Sequence, residues 1–313
     1  MILAAILLLG AVLIAVAAPA ALRRLGSTTL PPGLLLAAWL GSMIGTLFFA
    51  GSAVVVLAWP EHAPAEGAVE TLMRCLSTVS HAVQPWITEI LAGAGVLALA
   101  TLVGRTVVLG RRHVQAQARL RTYHLQVISI VARSRRDGVM WLDHPMPLAY
   151  SVAGRPGFVV ATEGLSSCLS RGEREAVLAH ERAHLDGGHH RLVSMCEILA
   201  AVFPAVPLFT AAPGAVRTLV ELAADQHAVR ATSAATVGAA LTAVSSSILP
   251  QPAGTLGLSN ETALRLRKLD ATVSVRCPKL SCATAAALSW TLPAAAAWGT
   301  VAAISVLTCS TLG

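Results

Sequence analysis

Charge is scarce in this 313-residue sequence: 12% of it is Asp, Glu, Lys or Arg, against 55% hydrophobic residues. With a mean hydropathy of +0.68, so little charge argues that much of the chain sits in lipid rather than in two soluble domains. Aromatic residues are also few, at 4%, and are not interleaved with basic ones as in binders of single-stranded nucleic acid. No Cys-x-x-Cys pair occurs among Cys75, Cys168, Cys196, Cys277, Cys282 and Cys309. That removes the zinc-finger reading and leaves the cysteines as packing residues. Acid is the scarcer sign: 16 acidic against 23 basic residues give a net charge of +7. Without a helix-turn-helix signature, that excess reads as juxtamembrane arginine facing lipid headgroups, and no direct nucleic-acid binding is expected.

Long hydrophobic runs are what the sequence does have. Four reach the roughly 20 helical residues that a bilayer requires: about Ile2 to Leu22, Leu34 to Trp59, Ile87 to Leu109 and Ala283 to Leu312. The first offers small residues for processing in "AVAAPAAL", but its arginines, Arg23 and Arg24, follow the apolar stretch instead of preceding it. It therefore reads as a retained helix, not a signal peptide. Basic residues mark the inner side of a membrane. Arg23 and Arg24 follow the first span, seven arginines and no acid lie between Arg111 and Arg136, and Arg276 and Lys279 precede the last span. Between the second and third spans stand Glu61, Glu66 and Glu70. The expected architecture is a mainly α, multi-pass protein of the inner (plasma) membrane with about four transmembrane helices and both termini outside. Three spans fall in residues 1–110, a cytoplasmic α+β domain in 111–281, and the last span in 282–313.

Within that domain, Arg111 to Arg136 reads as a helix leaving the membrane. Two short strands are predicted at Leu148 to Val152 and Phe158 to Ala161, joined through the turn-rich "AGRPG". Ser170 and Glu173 fit an S-x-x-E capping box, so a helix should start near Arg171, and Gly187-Gly188 should stop it. The apolar run Met195 to Pro213 is marginal in length and broken by Pro204 and Pro207. Helices are then expected after Pro213-Gly214, over "AVRTLVELAADQHAVRAT", and over "SNETALRLRKLDA", which carries Arg265, Arg267 and Lys268.

Polar chemistry concentrates in "VLAHERAHLDGGHH", which starts at Val177. His180-Glu181-Arg182-Ala183-His184 is an H-E-x-x-H motif. On a helix, residues four apart share a face, so two imidazoles can reach one zinc while Glu181 acts on a bound water. A catalytic zinc has a third protein ligand and one open position. Candidates for the third are His189, His190, Glu197, Glu221 and His227. His189 and His190 lie past two glycines, on chain expected to turn away as bystanders, and Glu197 sits in the apolar run. In "ELAAD", Glu221 and Asp225 are four apart on one helix face. The first suits a metal ligand and the second suits a carboxylate that fixes a ligand histidine's tautomer. Acids so spaced also commonly face solvent, so spacing alone leaves the choice open.

"AVLAHERAHL", followed by "ELAAD" and preceded by "PLAYSVAGRPGFVVATEGL", resembles the gluzincin membrane peptidases. The nearest resemblance is to the BlaR/MecR-type antirepressor family, with HtpX/Ste24-type proteases as relatives. It covers about Pro147 to Thr232, plus the arrangement of three spans before and one after. The resemblance implies a zincin-like metallopeptidase domain with His180, His184 and Glu221 as ligands of one Zn2+ per chain. It also implies Glu181 as general base and Asp225 as the acid behind a ligand. The implied activity is cleavage of a protein or peptide, with a DNA-binding repressor in a signalling relay as the expected substrate. Membrane-protein quality control of HtpX type is the alternative. The family's sensors continue into an extracellular penicillin-binding domain, whereas this sequence ends at Gly313, so direct beta-lactam sensing is not expected.

A shared zinc requires the 195–213 run to return to the side it left, as an interfacial or re-entrant element. The strand around Leu148 to Val152 is a candidate edge on which substrate backbone could add. Arg155, His189, His190 and His227 are candidates for steadying the oxyanion. The rival readings are a signalling protein with a structural zinc and a metal transporter. Glu181, which holding a metal does not require, argues against the first, and spans almost free of acids and histidines argue against the second.

Overall fold

Apolar length decides the first three helices. The computed structural model describes residues 2–26, 30–58, 85–136, 138–154, 156–247 and 257–272. The predicted fourth span, the loop acids Glu61, Glu66 and Glu70, and Arg155 lie outside them. Helices α1 (Ile2–Gly26), α2 (Pro32–Ala58) and α3 (Pro85–Val131) come first. Stretches Ala4–Gly26, Pro32–Leu57 and Gly93–Ala116 within them are long and apolar enough to cross a membrane. The third span and the helix expected to leave the membrane prove to be one 47-residue helix, since no proline interrupts residues 86–131. That helix stops at Val131, and residues 132–136, expected to be helical, form a strand.

The sheet has four strands: β1 (Ala132–Arg136), β2 (Val139–Leu142), β3 (Ala149–Val152) and β4 (Phe158–Thr162). Their order is β1-β2-β4-β3. The predicted hairpin is present as antiparallel β3 and β4, paired from Ala149↔Ala161 to Val152↔Phe158. The β1–β2 hairpin was not expected. It closes at Arg136↔Val139, and Gly138 adopts φ 78°, a left-handed geometry of the kind hairpin turns use. β4 is buried throughout and β3 forms one edge. The Thr162 hydroxyl fixes the start of β3: it donates to Met146 O at 2.7 Å and accepts from Leu148 N at 3.0 Å. At Gly164 a Cβ would lie 2.0 Å from Pro145 O, so only glycine lets that loop pack down.

Six helices complete the described residues: α4 (Glu163–Cys168), α5 (Arg171–Asp186), α6 (His189–Val202), α7 (Pro207–Ala231), α8 (Ala234–Ser247) and α9 (Gly257–Thr272). The structure is thus mostly helical. The α5 capping box forms as predicted, with Ser170 N donating to Glu173 Oε2 at 2.8 Å and Glu173 N donating to Ser170 Oγ at 3.3 Å. Under the sheet, Val139, Val159, Ala161 and Leu165 share a core with Leu178 of α5.

The 195–213 run forms a helical hairpin. α6 ends at Val202, the rings of Phe203 and Phe209 stack with centroids 4.7 Å apart, and Pro207 opens α7 at a position where its missing N–H costs nothing. α7 thus begins before Pro213, not after it, and Pro213 lies inside the helix. Arg217 of α7 pairs back to Glu197 of α6, so the two helices run antiparallel. Cys196, Leu208, Phe209 and Val216 of this hairpin share a core with Leu22, Leu35, Trp39 and Met43 of α1 and α2. The chain therefore leaves the end of α5 on α6 and comes back on α7.

Candidate metal centre

Two helices converge on one point. α5 presents His180 and His184 a turn apart, and α7 presents Glu221. His180 Nε2 is 3.3 Å from Glu221 Oε2, and His184 Nε2 is 3.4 Å from Glu221 Oε1. The two Nε2 atoms are 3.1 Å apart. A tetrahedral ion bonded at about 2.0–2.1 Å to its ligands separates them by about 3.3–3.4 Å, so these spacings fit one zinc. Two imidazoles and a carboxylate form the donor set of a catalytic site with an open position, not of a closed structural one. Among the described residues, His180, His184 and Glu221 make the one such cluster.

Charge is arranged behind these donors. His180 Nδ1 stands 2.9 Å from Asp225 Oδ1, whose side chain is 3% exposed. Arg265 of α9 forks onto the same carboxylate, Nε donating to Oδ2 at 2.8 Å and Nη2 to Oδ1 at 2.6 Å. Its Nη1 lies 3.2 Å from Glu221 Oε2. Burial by itself would lower the His180 pKa, but the Asp225 and Glu221 carboxylates beside the ring outweigh it and raise it to about 9. Burial works the other way on Glu221 and Asp225, yet His180 and Arg265 keep both below the usual carboxylate range. Glu181 differs: burial pushes its carboxyl up, only partly offset by His180 and by hydrogen bonds to Ser151 of β3.

Residues 114–212 match the family model of peptidase family M48. The matched stretch runs from α3 through the sheet and α5 to the start of α7, and supports an M48 metallopeptidase. It stops short of Glu221, which geometry alone brings to the H-E-x-x-H helix. No curated protein and no solved structure matches the chain.

The matched segment also holds the clearest departure from expectation. His189 and His190 do not leave the site. Burial and the neighbouring His180 hold His184 down at about pKa 4, and burial lowers His189 and His190 as well. His189 Nδ1 lies 3.0 Å from His184 Nδ1, and His190 Nε2 lies 3.1 Å from Ser151 Oγ. Gly188, at φ 61°, is the N-cap of α6, so the two glycines end α5 and fold the next helix straight back across it. Of the other third-ligand candidates, Glu197 pairs with Arg217 and His227 is exposed on α7. Arg265 had no role in the sequence reading. No local spacing links it to the motif, because it meets Asp225 from forty residues away.

Proposed function

We propose that this protein is a membrane-embedded zinc endopeptidase of the BlaR/MecR type, working as a relay that cleaves a cytoplasmic DNA-binding repressor. The observation that carries the peptidase reading is the convergence of His180, His184 and Glu221 with Glu181 beside them. Those three residues would hold one zinc per chain, which when bound polarises a peptide carbonyl and brings a water pKa towards about 7. Glu181 takes the proton of the attacking water and passes it to the leaving amine. Its bonds to Ser151 keep it on the side of α5 that faces β3. The raised Glu181 pKa brings this carboxyl nearer the range in which a group both accepts and returns a proton.

Edge strand β3 packs beside α5 and is the strand to which an extended substrate backbone would add. His190, within reach of Ser151, is an oxyanion candidate beside this strand. The positive-inside pattern supports a plasma-membrane protein with both termini outside, a site domain in 111–281 on the cytoplasmic face, and a fourth span in 282–313. The α6–α7 hairpin then acts as a re-entrant element against α1 and α2. Quality control of membrane proteins is the second reading, favoured if the substrate is itself apolar and membrane-bound.

Metal removal tests the activity. The purified chain should cleave an unfolded model protein, lose that cleavage to a chelator, and regain it with one equivalent of zinc. Cleavage that persists under a chelator contradicts the proposal. In cells, a repressor that accumulates only with Glu181→Gln supports the relay, and accumulating membrane proteins support quality control.

A further inference from the structure

Each ligand histidine has a second face. Behind His180 stands Asp225, an acid that can accept the Nδ1 proton. Behind His184 stands another imidazole, that of His189. His189 is 8% exposed, its ring is nearly perpendicular to that of His184 at a centroid separation of 4.9 Å, and the two Nδ1 atoms are 3.0 Å apart. We infer that His189 is a positioning residue for the metal ligand His184: its Nδ1 lone pair accepts the His184 Nδ1–H and so leaves the His184 Nε2 lone pair aimed at the metal. This inference rests on the zinc reading above.

Tautomer logic carries the argument. A neutral imidazole has one N–H and one lone pair. His184 Nε2 points at Glu221 and His180 Nε2, so in a ligand its proton must sit on Nδ1 and needs an acceptor. His189 can accept only as the neutral tautomer with its proton on Nε2. The partner of a metal-bound histidine commonly fixes its ring and tautomer in this way.

The turn explains how the imidazole gets there. A Cβ on Gly187 would lie 2.5 Å from His189 Nε2 and 3.0 Å from Ala183 O. Gly188 supplies the left-handed φ of 61° that turns α6 back at once. The Gly187-Gly188 pair is therefore both the stop signal of α5 and the device that seats His189 behind the site.

Three variants of the purified chain test this: His189→Leu, His189→Asn and Gly187→Ala. Zinc affinity is read by competition with a chromogenic chelator, and ligand geometry by the visible spectrum of the Co2+-loaded protein. Losing such a partner typically weakens metal binding about 10–100-fold. His189→Leu should show that loss with an altered cobalt spectrum. His189→Asn, whose Oδ1 can accept in place of Nδ1, should recover most of both. Gly187→Ala should resemble His189→Leu although it keeps every histidine. Wild-type affinity in both His189→Leu and Gly187→Ala overturns the inference, as does His189→Asn binding no better than His189→Leu. A wild-type chain that binds no zinc overturns the zinc reading itself, and the inference with it.

Discussion

Glu181→Gln should abolish proteolysis while the protein keeps its zinc. The substitution preserves the size of the side chain and touches none of the three donor atoms, so the metal cluster of His180, His184 and Glu221 stays intact. What it removes is the carboxylate proposed to accept the water proton, and a general base contributes about 10²–10⁴-fold to such reactions. Cleavage should fall by at least about 100-fold, read with equal amounts of zinc-loaded protein. Any site that only holds a structural zinc gives the opposite result, with no difference between wild type and variant. The experiment therefore separates the peptidase from its main rival, a signalling protein that merely contains zinc.

Arg265→Leu should cost the most stability of any single change at the site. The Asp225 carboxylate is almost fully buried, and both of its oxygens accept from the Arg265 fork. Removing one partner of a buried pair leaves an uncompensated charge and typically costs about 3–5 kcal/mol. Arg265 is itself partly exposed, so the lower end of that range is expected. Zinc binding should weaken too, because Asp225 would no longer be held against His180 Nδ1. Arg265→Lys keeps the charge but cannot fork, and should fall between the two. Thermal unfolding and zinc titration of the three proteins measure both effects. Wild-type stability and zinc affinity in Arg265→Leu would reduce the residue to an exposed ion pair.

Local chemistry made much of this site legible in the sequence. The capping box from Ser170 to Glu173, the H-E-x-x-H turn and the Glu221–Asp225 spacing each depend on residues a turn apart, and each stands where the pattern put it. The β3–β4 hairpin was readable for the same reason. The β1–β2 hairpin is hidden in the sequence because Arg111 to Arg136 reads as one helix that covers β1, although Asp137-Gly138 is a hairpin signal. Pro213-Gly214 suggests a helix beginning after residue 214, whereas Pro207 has the better claim at the first helical position and α7 begins there. Gly187-Gly188 marks the stop of α5, but a stop does not say where the next helix goes. Arg265 belongs to tertiary structure alone: α9 reaches the site through packing that no sequence spacing encodes.

The central claim is that two helices of this chain share one zinc. It is tested most directly by metal analysis of the purified chain beside Glu221→Ala. The geometry predicts one zinc per wild-type chain and little or none in the variant, since His180 and His184 alone leave the site one ligand short. A full equivalent of zinc in Glu221→Ala would contradict it, and would mean that the H-E-x-x-H helix finds its third ligand elsewhere.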